Sequence, residues 1–257
     1  MNVLYVKTYS NKVIWIIGAS SGIGKALSKE LASRGARMVL SARRQQALEA
    51  IKISLPGDGH SIHALDVRDQ NSISTISKAI HNQYGRLDSV IFLAAAYKPT
   101  KLDVMDLADV HQMIETNLLS AFYIIKSTIP YLLNQKSGQI ALCGSVAGYI
   151  GLPGGQPYSA TKAAIINLAE SLRSELPKMI DVKIINPGFV KTDLTAKNNF
   201  SMPLIIEPEE AAKCIADGLL KKGFEIHFPK KFTLILKMIR LLPYAISMKL
   251  ISKLNKI

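Results

Sequence analysis

Tyr158 and Lys162 stand four residues apart in Tyr158-Ser-Ala-Thr-Lys162. On a helix that spacing puts both side chains on one face, one turn apart. An ammonium beside a phenol favours the phenolate, so a pKa that starts near ~10 is drawn toward the working range of a general acid/base. Thirteen residues upstream of the tyrosine, Ser145 follows an apolar segment that ends Leu142-Cys143-Gly144. A hydroxyl at the carboxyl end of a buried parallel strand points into a ligand crevice. The four-residue spacing alone also fits an ordinary surface pair.

A second cluster lies near the start. Gly18-Ala-Ser20-Ser21-Gly22-Ile23-Gly24 follows the apolar run Val13–Ile17 and precedes a helical pattern. Glycines there let the backbone turn tightly and approach a pyrophosphate, and the helix N-terminus supplies free N–H groups with positive potential. The spacing is G-x-x-x-G-x-G, and a plain tight turn is the competing explanation. The next apolar segment ends Leu40-Ser41-Ala42-Arg43-Arg44. An acidic residue at that place would accept from ribose hydroxyls; the two arginines instead suit a 2′-phosphate.

Few residues suggest metal or disulfide chemistry. Cys143 and Cys214 are far apart, and His60, His63, His81, His111 and His227 have no partners at ligand spacing. No metal site is expected, and the cysteine usage suits a reducing compartment.

The elements that must position these groups alternate along the chain. Strands are expected at Val13–Ile17, Met38–Leu40, Ser61–Leu65, Ser89–Leu93, Gln139–Cys143, Val182–Ile185 and Phe224–Phe228. Helices are expected at Gly24–Arg34, Gln45–Ile53, Ser72–Gln83, Val104–Leu133, Tyr158–Leu176 and Pro208–Leu220. Strand–helix alternation implies right-handed crossovers and an α/β fold with a doubly wound parallel sheet. At 257 residues the chain fits one such domain. The expected division is a catalytic part to residue 229 and an extension over 230–257.

The motifs together resemble the short-chain dehydrogenase/reductase family to about Phe228. The resemblance rests on the Gly18–Gly24 turn, Leu65-Asp66-Val67, Asn117 in Thr-Asn-Leu-Leu, Ser145, Tyr158 with Lys162, and Asn186-Pro187-Gly188-Phe-Val190-Lys-Thr192. It implies a Rossmann-type fold and hydride transfer between nicotinamide and a carbonyl or alcohol carbon. Tyr158 would be the acid/base, and Ser145 would hydrogen-bond the substrate oxygen. Lys162 would lower the Tyr158 pKa and hold the nicotinamide ribose, and Asn117 would hold a helix kink and a water. NADP(H) would lie along Gly18, Ser20, Ser21, Gly22, Ile23, Gly24, Arg43, Arg44, Asp66 and Val67. Leu93, Ala94, Pro187, Gly188, Val190 and Thr192 would complete its site, with Asp66 accepting from the adenine amino group. Homodimers or homotetramers are implied too. One departure stands out: where the family's fourth strand usually ends Asn-Asn-Ala-Gly, this chain has Phe92-Leu93-Ala94-Ala95-Ala96, and Ala95 in place of glycine restricts the turn.

The substrate side is expected in Tyr149–Pro153 and a lid over Asp193–Pro203, with Leu194, Phe200 and Met202. That apolar lining suits a hydrophobic small-molecule carbonyl or alcohol of lipid, steroid or retinoid type. The net charge is +13, yet from Lys221 to Ile257 nine basic residues face one acid, Glu225. Phe232–Leu242 is strongly apolar. From Tyr244 a helical projection gathers Lys249, Lys253 and Lys256 opposite Ile246, Leu250, Ile251, Leu254 and Ile257. Such a tail suits an anionic membrane surface, a helix packed on the core or a subunit contact. Nucleic acid is not an expected partner, since no recognition motif accompanies the charge. Met1–Lys12 lacks a basic segment followed by a long apolar run, so no signal peptide is expected and the location is read as cytoplasmic, at most peripheral on a membrane. A cofactor sensor or scaffold without useful turnover is the alternative function.

Overall fold

The computed structural model describes residues 8–254 except 101 and 200. Strands β1 (Val13–Ile17), β2 (Arg37–Ala42), β3 (Ser61–Ala64), β4 (Ser89–Phe92), β5 (Gly138–Cys143), β6 (Ile180–Pro187) and β7 (Glu225–Phe228) form one sheet in the order β3-β2-β1-β4-β5-β6-β7. Every pairing is parallel. Helices α1 (Gly22–Ser33), α2 (Gln45–Ile53), α3 (Gln70–Tyr84), α4 (Leu107–Ile114), α5 (Ser120–Gln135), α6 (Tyr158–Glu175) and α7 (Pro208–Leu219) cover both faces. This is the doubly wound, Rossmann-type single domain that the alternation implies.

All five β1 residues are buried, because alternate side chains serve different layers. Ile14 and Ile16 pack with Leu27 and Leu31 of α1 and Ile215 of α7. Val13, Trp15 and Ile17 pack on the other face with Ile76 of α3, Ile124 of α5 and Ile165 of α6. A strand buried on both faces has to read as an unbroken apolar run. The strand order reverses between β1 and β4, and the carboxyl ends of strands diverge there to leave a crevice.

The helix expected over Val104–Leu133 is broken up. A 3-10 turn at Leu102–Val104 comes first, and α4 starts only at Leu107, where the Asp106 carboxylate accepts from the Ala108 N–H at 2.9 Å. A π-helical turn, Glu115–Leu119, then separates α4 from α5. One inserted residue in the helical ladder produces such a turn, a feature frequent at functional sites.

Two further helices, α8 (Lys230–Leu241) and α9 (Tyr244–Leu254), follow β7. Leu236 of α8 packs on Val146 and Tyr149, and Ile251 of α9 is buried. Ser247 and Ile251 form the inward side of α9, whereas Ile246 and Leu250 are exposed. The apolar arc expected in the tail therefore does not turn inward as a unit. Lys256 and Ile257 lie outside the described residues, as do the side chains of Lys253 and Leu254.

Candidate active site

A cleft of about 820 Å³ opens over the carboxyl ends of β1, β2 and β4. Its floor is the turn between β1 and α1. Gly18 has φ +97°, and a Cβ there would sit 2.6 Å from the Ala94 nitrogen, so only glycine lets the turn lie against the end of β4. At Gly22, with φ +50°, a Cβ would sit 2.9 Å from the Thr192 side chain. The first-turn N–H groups of α1 carry no side-chain cap from Ser21 and no acidic neighbour. A helix N-terminus left open in this way is an anion site.

Gly18, Ser20, Ser21, Gly22, Ile23 and Gly24 all line this cleft, together with Arg43, Arg44, Asp66, Val67, Leu93, Ala94 and Thr192. Arg43 and Arg44 are exposed on its rim. The Arg44 guanidinium donates to both the carbonyl and the hydroxyl of Ser20 at 3.3 Å, which ties the end of β2 to the glycine turn. Asp66 is oriented by its neighbour Arg68. Its carboxylate accepts from the Arg68 guanidinium, Nη2 to Oδ2 at 2.6 Å, and from the Arg68 N–H at 3.0 Å. These bonds keep Asp66 below the usual carboxylate range. Gly188 and Val190 serve as framework. The Gly188 N–H donates to the Phe228 carbonyl at 2.7 Å, and Val190 is buried beside Ile206. Pro187 ends β6.

Ser145, Tyr158, Lys162 and Asn117 do not line the cleft; they lie next to it, behind Ala96, Tyr97 and Cys143, which do. Ser145 extends from β5, and its hydroxyl accepts from the Ala147 N–H at 3.1 Å. Ser145 also acts on the Tyr158 phenol, drawing its pKa down. Lys162, one turn along α6, is buried, and its Nζ donates to the Cys143 carbonyl at 2.7 Å, 5.5 Å from the Tyr158 ring centre. The structure reverses the expected direction for the phenol. Burial pushes Tyr158 upward, Cys143 and Tyr97 add to the rise, and only Ser145 opposes it. Burial likewise lowers the Lys162 ammonium. With its charge spent on a carbonyl, the lysine does not draw the phenol down here.

Asn117 sits in the π-helical turn and is fully buried. Its Oδ1 accepts from the Ala96 N–H at 2.6 Å; its Nδ2 donates to the Ala96 carbonyl at 2.9 Å and to Thr161 Oγ1 at 3.1 Å. The unusual segment after β4 is thereby fixed through its main chain. Neither Ala95 nor Ala96 has a positive φ, so alanine costs no backbone strain there.

Sequence reasoning missed Tyr97, whose ring meets that of Tyr158 edge-on at 4.9 Å. Its hydroxyl donates to Asn198 Oδ1 at 2.6 Å, and its carbonyl accepts from Lys197 Nζ at 2.9 Å. These bonds hold the segment after Thr192 across the cleft. The sequence signal is only an aromatic residue directly after the β4 turn. Of the expected lid residues, Leu194 lines the cleft, while Phe200 lies outside the described residues. The expected substrate loop is placed elsewhere: Tyr149, Ile150 and Gly151 line a separate cavity of about 320 Å³ next to α6 and Arg240. The Tyr149 phenol donates to Glu225 Oε1, away from the cleft. Among the described residues no group of three metal-ligating side chains occurs. His60 is structural, with Nδ1 accepting from the Met38 N–H at 3.0 Å.

The fold is shared with known proteins. Residues 12–202 match the family model described as short chain dehydrogenase. An uncharacterized oxidoreductase of Myxococcus xanthus is 31% identical over 237 residues, covering 91% of this chain and 94% of the relative. The 3-oxoacyl-(acyl-carrier-protein) reductase of Escherichia coli is 32% identical over 188 residues, 73% of this chain and 77% of that protein. Levodione reductase superposes with a TM-score of 0.80 at 20% identity, covering 88% of this chain and 99% of its own. An actinorhodin polyketide ketoreductase variant solved with NADPH gives 0.77 at 23%, covering 87% and 97%. The family uses a nicotinamide cofactor, and the glycine cradle, the open helix N-terminus and the size of the cleft fit a dinucleotide. The chain belongs to the short chain dehydrogenase family and is an oxidoreductase of that family.

Proposed function

We propose that this protein is an NADP(H)-dependent oxidoreductase that interconverts a carbonyl and an alcohol on a hydrophobic small molecule. The observation that carries this reading is Tyr158 set edge-on against Tyr97 of a dinucleotide-sized cleft, with Lys162 buried one turn along α6 and bonded to the carbonyl of Cys143, another cleft residue. When bound, NADPH supplies the hydride. In the reduction Tyr158 gives its proton to the carbonyl oxygen, and the Ser145 hydroxyl steadies the negative charge that develops there. A phenol raised by burial is fully protonated at neutral pH, as a proton donor must be. Lys162 is the positioning cation of α6, and Asn117 holds the turn after β4 through Ala96.

NADP(H) is preferred in this reading because Arg44 bonds Ser20, Arg43 lines the same cleft, and no acidic residue ends β2. Gly18, Ser20, Ser21, Gly22, Ile23, Gly24, Asp66, Val67, Leu93, Ala94, Pro187, Gly188, Val190 and Thr192 complete the cofactor set. Tyr97, which packs on Tyr158, and Leu194 supply apolar surface to the cleft and favour a hydrophobic substrate. Homodimers or homotetramers in the cytoplasm are the expected assembly and location.

The test is NADPH oxidation with a panel of hydrophobic ketones and aldehydes, comparing the wild type with Tyr158→Phe. The variant should lose about a hundredfold to ten-thousandfold in kcat while binding NADPH unchanged. Tight NADPH binding with no turnover of any carbonyl would instead favour a sensor or scaffold. That alternative is disfavoured by the absence of positive φ at Ala95 and Ala96 and by the two hydrogen bonds that hold Ala96.

A further inference from the structure

Helix α8 has two unlike sides. Its inner side carries Thr233 and Leu236, which are buried, Lys237 bonded to Glu225, and Arg240 donating to the Tyr149 carbonyl at 2.9 Å. Its outer side carries Leu234, Met238 and Leu241 at the i, i+4, i+7 spacing of one stripe, exposed by 51%, 65% and 81%. Tyr244, at 83%, and Met248, at 48%, continue the apolar surface onto α9. Lys231 and Lys249 flank it and have no acidic partner among the described residues.

Charge decides what covers this surface. The segment from Lys221 onward holds nine basic residues, and its single acid, Glu225, is already taken by Lys237. A second copy of the same face would bring two such segments together and add repulsion to every contact. An anionic lipid surface supplies the missing charge and accepts the apolar stripe as well. None of the described helices is long and apolar enough to cross a membrane, so the fit is in the plane of the interface.

We propose that the outer face of α8 and α9 is a docking surface for anionic phospholipid bilayers. The apolar stripe enters the headgroup boundary while Lys231 and Lys249 lie among the phosphates. The inner face of α8 packs on Val146, Tyr149 and Phe189, so docking places the Ser145 end of the molecule next to the lipid. This surface is independent of the catalytic reading.

Co-sedimentation of the full chain with vesicles tests it without cofactor or substrate. Phosphatidylcholine vesicles are compared with ones in which roughly a third of the lipid is phosphatidylserine, at low salt and in roughly 1 M salt. The protein should bind the anionic vesicles selectively and be released by salt. Lys231→Glu with Lys249→Glu should weaken partition by about fivefold or more for each cation lost. Met238→Ser with Leu241→Ser should weaken it too, with thermal stability and mass in solution unchanged, since both side chains are already exposed. Absent binding, or equal binding to both vesicles, overturns the proposal. So does a serine variant that binds vesicles as before but dissociates into smaller species, which would make the face a subunit contact.

Discussion

The side chain of Asn117 and the main chain of Ala96 exchange two hydrogen bonds, at 2.6 and 2.9 Å. The pairing imitates a rung of β-ladder, with an amide side chain standing in for a strand. It replaces the support that polar side chains after β4 would give, and it explains why an all-apolar Leu93–Ala96 segment holds its place beside the glycine turn. Asn117→Ala leaves the Ala96 N–H and carbonyl without these partners and loses the bond to Thr161. Removal should cost about 1–3 kcal/mol, visible as a lower urea midpoint at unchanged slope. NADPH affinity should fall with it, because Gly18 rests on Ala94. An unchanged midpoint would mean that the turn is held by something else.

Arg44 already bridges to Ser20 at 3.3 Å, and Arg43 lies exposed beside it on the rim of the cleft. Each offers a forked donor to a 2′-phosphate. Arg44→Ala should weaken NADPH binding by about tenfold to a hundredfold and leave NADH binding nearly unchanged. Titration of reduced-nicotinamide fluorescence with both cofactors checks this. Equal losses for the two would place the arginine on the pyrophosphate and remove the argument for NADP(H).

Burial raises the Tyr158 pKa and Ser145 lowers it. Reduction uses the protonated phenol and oxidation uses the phenolate. Reduction should therefore stay level through neutral pH and decline only in the alkaline range, while oxidation rises over that same range. Ser145→Ala removes the one lowering influence, so both limbs should move to higher pH, alongside a loss in kcat. Initial rates in each direction at saturating cofactor give the profiles. Limbs that do not move in the variant would assign the titration to another group.

Glu225 fastens α8 to the body. Its carboxylate accepts from Lys237, from the Tyr149 phenol, and from Asn186 Nδ2 at 2.8 Å. Burial alone would raise this carboxyl, but the three donors outweigh burial and hold it below the usual range. A carboxyl depressed in the folded state stabilises above its unfolded pKa, near ~4.3, and the contribution vanishes as pH falls through the lower folded value. Lys237→Met should cost about 1–3 kcal/mol at neutral pH. The gap to wild type should narrow below about pH 4. Thermal melts across that range decide it, and a gap independent of pH would show the loss to be one of packing alone.

Much of this molecule could be read from local patterns. Runs buried on both faces gave β1, β4 and β5 nearly to the residue, since a parallel strand needs apolar side chains in both directions. The glycine turn was legible because positive φ and close approach leave no other residue type. That Tyr158 and Lys162 stand one turn apart on one helix was legible because a helix restricts spacing. The kink at Asn117 was legible only through the family resemblance; its π-helical form was not, because it depends on a partner 21 residues away at Ala96.

By itself, the sequence determined the alternation of elements, the strand-turn-helix that opens the cleft, and the pair of groups one turn apart on α6. Each depends on neighbours within one element, where period and residue type are sufficient. Only the tertiary structure decided that Lys162 spends its charge on the Cys143 carbonyl, that Tyr97 covers Tyr158, and that Tyr149 turns away to Glu225. It also decided which side of α8 faces outward. Those outcomes depend on burial and on partners distant in the chain, and no local pattern encodes either.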